Sequence, residues 1–201
     1  MIPTIPGGVF VAKRLRFAPA LGAVALVATL LANGTAVAAT RAPHRPPKRA
    51  TLCLQSGGGY LRARLGGSLN IDIAWPNRGT WCAGERKDHP PGIRMSFRRA
   101  NGARPRLLFL FGLTGVREGK PLREGRVNVT VIDEGDGRVF GTLGDRRCTI
   151  DSLTQRRLRA PHTYRVEAHG FCTEPAHAVH GRGAILVSRF DFAGPVNYAD
   201  Y

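Results

Sequence analysis

The sequence predicts an all-β protein: an antiparallel β-sandwich of roughly 8–10 short strands stapled by two disulfides, with a small closed β-barrel as the alternative. Three observations point there. Apolar residues recur at every second position in several short segments, the period of a strand with one buried face. Gly, Pro and Asp turn signals separate those segments. Four cysteines occur in a chain that opens with an export address. No window of about eleven residues carries a helical period. Sandwich and barrel share the same alternation, so the pattern does not separate them.

Residues 1–38 read as a secretory signal peptide. Lys13, Arg14 and Arg16 precede the apolar run from Ala18 to Leu31, and Ala36-Val37-Ala38 has the small residues of a cleavage site. The run is shorter than the ~20 apolar residues a membrane helix needs. Cleavage after Ala38 or Ala39 is expected, which would place the mature chain in the periplasm or outside the cell. Residues 39–50 contain Pro43, Pro46 and Pro47 among Arg41, Arg45, Lys48 and Arg49. This reads as a disordered basic Pro-rich leader. Residues 51–201 form the single β domain, in which no segment is long and apolar enough for a transmembrane helix.

Within the domain, Leu69, Ile71, Ile73 and Trp75 alternate with Asn70, Asp72 and Ala74. Ile93, Met95 and Phe97 alternate with Arg94, Ser96 and Arg98, and Val127, Val129 and Val131 with Asn128 and Thr130. Leu107 to Phe111 is continuously apolar, as a central strand covered on both faces would be. Gly57-Gly58-Gly59 lacks the Gly-Lys-Ser/Thr ending of a phosphate loop and reads as a turn or bulge. Asp133-Glu134-Gly135-Asp136-Gly137 resembles a fragment of a calcium loop, but Asp-Gly between apolar runs is a hairpin signal, and the turn is favoured.

The cysteines carry the sharpest inference. Cys148 to Arg157 and His162 to Cys172 look like two strands joined at Ala160-Pro161. With the turn centred on residue 160, Cys148 and Cys172 are equidistant from it and face one another. Ile150, Tyr164, Val166 and Ala168 then share the cysteine face. The remaining pair, Cys53 and Cys82, closes a loop of about thirty residues, which stabilises by ~3–4 kcal/mol in the chain-entropy model.

The same register sets Asp151 opposite His169 on the other face. A carboxylate beside an imidazole is half of a nucleophilic relay. The nucleophile is missing, since Ser152 points away from Asp151 and no G-x-S-x-G elbow occurs. The plainer reading is a cross-strand charge pair on a solvated face. Glu174, His177 and His180 are candidate metal ligands, because His-x-x-His can converge on one ion. Polar loop histidines are the plainer reading. Trp75 and Trp81 flank Pro76-Asn77-Arg78-Gly79 and adjoin Cys82. An exposed Trp stacks on sugar rings, whereas a core Trp packs on a disulfide.

The formal net charge is +16. The arginines are spread along the chain rather than clustered with aromatics, so nucleic acid is not expected. An anionic cell-envelope polymer is the better partner, with a merely solubilising basic surface as the alternative. The function expected is therefore an exported binding or structural module, for an anionic envelope polymer or a saccharide, with no cofactor. No constellation is a complete active site, which leans against an enzyme. The alternative is a small metal-dependent or His/Asp hydrolase working through Asp151, His169, His177 and His180. A third reading is an eight-stranded β-barrel in an outer membrane. Pro195 in the last strand and the four cysteines speak against it.

Overall fold

The alternation of the sequence becomes strands with one face inward. The computed structural model describes residues 51–199, so the export address and the Pro-rich leader lie outside the described residues. The chain is all-β, with no α-helix among the described residues and one 3₁₀ turn at Ala100–Gly102. Its strands are β1 (Tyr60–Gly67), β2 (Ile71–Pro76), β3 (Thr80–Lys87), β4 (Gly92–Arg99), β5 (Leu107–Thr114), β6 (Leu122–Asp133), β7 (Arg138–Gly141), β8 (Cys148–Arg157), β9 (Thr163–Cys172), β10 (Ala176–Ala178) and β11 (Ala184–Asn197). Eleven exceed the expected number because β7 and β10, with 4 and 3 residues, are too short to display a period of two.

Strands β3, β4, β5 and β6 form an antiparallel meander. Strand β6 is long enough to serve two partners on its far side. Its first half pairs with β8 and its last residues with β7. Strand β8 returns through a hairpin to β9, and β9 pairs with β11. Strand β11 also pairs with β1 and β10, and its Asn197 meets Glu85 of β3 in a parallel contact. The pairings thus return to the strand where they began. Gly84 sits at that meeting, where a Cβ would run into Pro195 O, Met95 Sδ and Val196 Cγ2.

The inward residues make one aromatic core. Phe97, Phe109, Phe111, Phe190 and Phe192 are fully buried. The ring centroids of Phe111 and Phe192 lie 4.8 Å apart and those of Phe97 and Phe192 5.3 Å apart. Such pairs contribute ~0.5–1.5 kcal/mol each beyond their buried area. Strand β5 corrects one expectation. Its burial alternates between full and partial, so Leu108 and Leu110 look outward and are half-buried. The apolar run does not mark a strand covered on both faces.

Both disulfides form as expected, Cys53–Cys82 and Cys148–Cys172. The first ties the segment before β1 to β3; the second joins β8 to β9. Two disulfides suit the oxidising environment of an exported chain. No helix of the described residues is long and apolar enough to cross a membrane. Exposed Arg62, Arg64, Arg94 and Arg98 look outward while phenylalanines look inward. This is the reverse of a lipid-facing barrel with a polar lumen.

The β8–β9 register agrees with the sequence at one end only. Cys148 pairs with Cys172 and Ile150 with Gly170, but beyond them the ladder slips by one residue and Ser152, not Asp151, faces His169. The hairpin turn is centred half a residue later than expected, and a bulge at Asp151 absorbs the offset.

Candidate functional site

The site grows from the turn between β2 and β3. Asn77 Oδ1 accepts hydrogen bonds from the backbone N–H of Leu54 (2.8 Å) and Gly59 (3.0 Å), and its Nδ2 donates to Leu54 O (3.1 Å). Gly79, with φ of 79°, turns the chain where a side chain would be strained. Its N–H donates to Thr51 O (2.8 Å), and its carbonyl accepts from Ala100 N–H (2.9 Å). These bonds draw the segment before β1, the β2–β3 turn and the 3₁₀ turn into one rim.

Beside that rim lies a cleft of about 400 Å³ lined by Thr51, Trp81, Arg98, Arg99, Arg106 and Glu134. Cys82 points inward to its disulfide, so Trp81 must point outward. Trp81 is 41% exposed. Arg98 is its partner across the ladder, with the guanidinium carbon 5.5 Å from the ring centroid. Such a cation–π contact contributes ~0.5–1 kcal/mol at an exposed site. Arg98 also lies 3.7 Å from Glu134 Oε1. Arg99 and Arg106 take no ion pair among the described residues. The cleft therefore offers an aromatic face beside three guanidinium groups and one carboxylate. A planar guanidinium matches a carboxylate, sulfate or phosphate group in a bidentate manner.

The two tryptophans part company. Trp75 is 5% exposed and packs edge-on against Phe109 at 5.4 Å. It is a core residue and takes no part in a ligand surface.

The His169 relay is rearranged. Asp151 lies in the bulge and is not its partner. Instead His169 Nδ1–H donates to Asp191 Oδ1 at 2.8 Å, and Arg189 Nη2 lies 3.2 Å from Asp191 Oδ2. Asp191 is 7% exposed, and the Arg189 guanidinium together with the His169 hydrogen bond offsets the cost of that burial. Ser152 is now the ladder neighbour of His169, although no hydrogen bond joins them among the described residues. One strand position along, the Tyr60 hydroxyl donates to Glu167 Oε1 (2.8 Å) and Arg165 Nη1 to Glu167 Oε2 (2.7 Å). Burial first, and the Glu167 carboxylate second, push the Tyr60 hydroxyl up to about 12. The Arg165 hydrogen bond, aided by Tyr60, holds Glu167 below the usual carboxylate range against the opposing effect of burial.

The metal candidates do not converge. His177 lies in β10, paired with Gly141 and Ala184, while His180 is in the following turn. Glu174 is engaged by Arg147 at 3.2 Å. No group of three metal-ligating side chains occurs among the described residues. The strand is the cause, because residues three apart share a face on a helix but not on a strand. The acidic stretch is the expected hairpin turn. Asp133 Oδ1 accepts from the N–H of Gly135 (3.1 Å) and Asp136 (3.4 Å), and Arg138 Nη2 clamps Asp133 at 3.1 Å and Asp136 at 2.9 Å.

Sequence reasoning missed Asp191 and the arginines of the cleft. Asp191 was readable, since Phe190 and Phe192 flank it in a period of two. Arg98 was read as a strand residue but not as the neighbour of Trp81, which only the β3–β4 pairing reveals.

No known protein family matches this chain, and no curated protein or solved structure is significantly similar to it.

Proposed function

We propose that this is an exported binding module whose Trp81 cleft takes an acidic saccharide, the kind of group an anionic envelope polymer presents. One observation carries the reading: an exposed indole ring shares a cleft with three arginines. The indole face suits the apolar side of a sugar ring, and the guanidinium groups suit its acid substituent. The volume falls within the ~300–1,000 Å³ of small-ligand sites. The export address at residues 1–38 would deliver the chain to the periplasm or the exterior, where such polymers are found and disulfides persist.

The test is a fluorescence titration with oligogalacturonate. Trp81 should report a saturable change, since Trp75 is shielded in the core. By titration calorimetry, which needs no reporter ring, Trp81→Ala should lose the binding while leaving the circular dichroism spectrum intact. A natural protein that gives no saturable response to acidic saccharides, or a Trp81→Ala variant that binds as well, would overturn the reading.

A hydrolase working through His169 is the second reading, and the alignment of Ser152, His169 and Asp191 on neighbouring strands favours it. A fluorophosphonate probe should then label Ser152 in the natural protein and not in His169→Ala. Absence of labelling in the natural protein would dispose of it.

A further inference from the structure

We propose that the ligand path continues past the Trp81 cleft, along the outward face of β3–β6, so that the protein holds an acidic oligosaccharide rather than a single sugar. This rests on the saccharide reading of the cleft. Trp81, Ala83, Glu85 and Lys87 share the outward face of β3, alternating with inward Cys82 and Gly84. Two outward positions beyond the Trp81–Arg98 rung lies the rung Glu85, Arg94, Gly112, Asn128 across four strands. There the face sinks into a second trough of about 530 Å³, lined among others by Lys87, Arg94, Ser96, Gly112, Asn128 and Thr130.

Gly112 makes the trough. Its backbone is not in the left-handed region that glycine favours, and a Cβ there would meet only ordinary contacts, at 3.8 Å from Asn128 Cβ and Lys87 Nζ. The conformation does not demand glycine at this position, and its presence leaves a space unfilled. The rung between cleft and trough is Ala83, Ser96, Leu110 and Thr130, and the small Ala83 and Ser96 keep the way open on the β3–β4 side. Four residues of strand from Trp81 to Glu85 span about 13 Å, more than one sugar ring.

The chemistry of the trough suits the same ligand. Arg94 is paired with Glu85 at 3.3 Å, while Lys87 takes no ion pair among the described residues. Asn128 Oδ1 accepts from Thr142 Oγ1 at 3.2 Å, which leaves its NH₂ group to donate. Ser96 and Thr130 add hydroxyls. Cationic side chains at both ends, Arg99 and Arg106 at one and Lys87 at the other, match a polymer with an acid group on successive units.

Mono-, di- and hexagalacturonate should be titrated against the natural protein and against Gly112→Leu, with circular dichroism confirming the fold. The Leu Cβ would make only ordinary contacts there, and the rest of the side chain would occupy the trough. The hexamer should bind at least about ten-fold more tightly than the dimer to the natural protein. Gly112→Leu should lose that advantage and keep the dimer affinity. Lys87→Glu, which adds no bulk, should weaken the hexamer in the same selective way. Equal affinities for dimer and hexamer, or a hexamer affinity unchanged in both variants, would end the path at Trp81 and leave the saccharide reading standing. No binding of any length would remove both.

Discussion

Ser152 faces His169 across β8 and β9 because Asp151 has been displaced from the ladder. With Asp151 set aside, Ile150–Gly170 and Ser152–His169 are consecutive rungs. The bulge is therefore one extra residue in an otherwise regular hairpin. Deletion of Asp151 should yield a folded protein that keeps the Cys148–Cys172 disulfide. Deletion of Thr154, by contrast, slips the register and turns the faces of its neighbours over. Thermal unfolding of the two deletions compares them; equal losses of Tm would show that Asp151 is not spare.

Asp191 is the better buried half of its pair with His169. Its side chain is 9% exposed and that of His169 44%. Asp191→Ala removes the carboxylate that holds both Arg189 and His169 and should cost about 1.5–3 kcal/mol, the range of hydrogen bonds to a charged group. His169→Ala should cost less than about 1 kcal/mol, in the range of exposed ion pairs. Urea denaturation of both variants checks the order, and a reversed order would contradict the assignment of Asp191 as the anchor.

The disulfides stabilise by restricting the unfolded chain. The Cys53–Cys82 bridge spans 29 positions and Cys148–Cys172 spans 24. Each double Cys→Ser variant should lose about 3–4 kcal/mol, a fall in Tm of roughly 6–16 °C for a domain of this size. Calorimetry of the two variants reads this directly, and an unchanged Tm in either would show that its bridge does not stabilise by restricting the unfolded chain.

Tyr60 and Glu167 limit stability at opposite ends of the pH scale. Glu167 is held below its usual range, so the stability it adds is present above about pH 4.3, the unfolded value, and is lost as pH falls through the lower folded one. Tyr60 is raised from 10.0 to about 12, so its contribution is full below pH 10 and is lost as pH rises toward 12. Tm should be level between these limits and fall outside them. Tyr60→Phe should shrink the alkaline fall but not remove it, because burial also raises the Tyr198 hydroxyl. An alkaline fall identical in Tyr60→Phe would show that the proton on Tyr60 carries none of it.

Much of the fold was legible because alternation survives in any strand long enough to show it. Strands β2, β4 and β6 announced themselves through Ile73, Met95 and Val129 and their neighbours. The hairpin placed Cys148 opposite Cys172 because both lie on the far side of the bulge from the turn. The bulge itself left no trace, since an extra Asp in a polar stretch changes no pattern that hydrophobicity can register. The site was half legible. Trp75 shares parity with Ile73, which points it to the core, and Trp81 adjoins a disulfide-bonded Cys82, which points it outward, although both stood as ligand candidates in the sequence. What no local pattern contains is that Arg98 and Glu134, far apart in the chain, end beside that ring.

Strand β11 has an implication for how the molecule is made. It provides pairing partners for β1, β3, β9 and β10, and it contributes Phe190 and Phe192 to the core. Residues 184–197 also follow every other described strand of the sheet in the chain. Until they emerge, β1 and β9 are unsatisfied edges and the aromatic core is short of two rings. Such edges recruit other chains. The nascent sheet must therefore be kept from folding, or from aggregating, until β11 is available. That requirement matches a route in which an unfolded polypeptide is threaded through a membrane and assembles only on the far side.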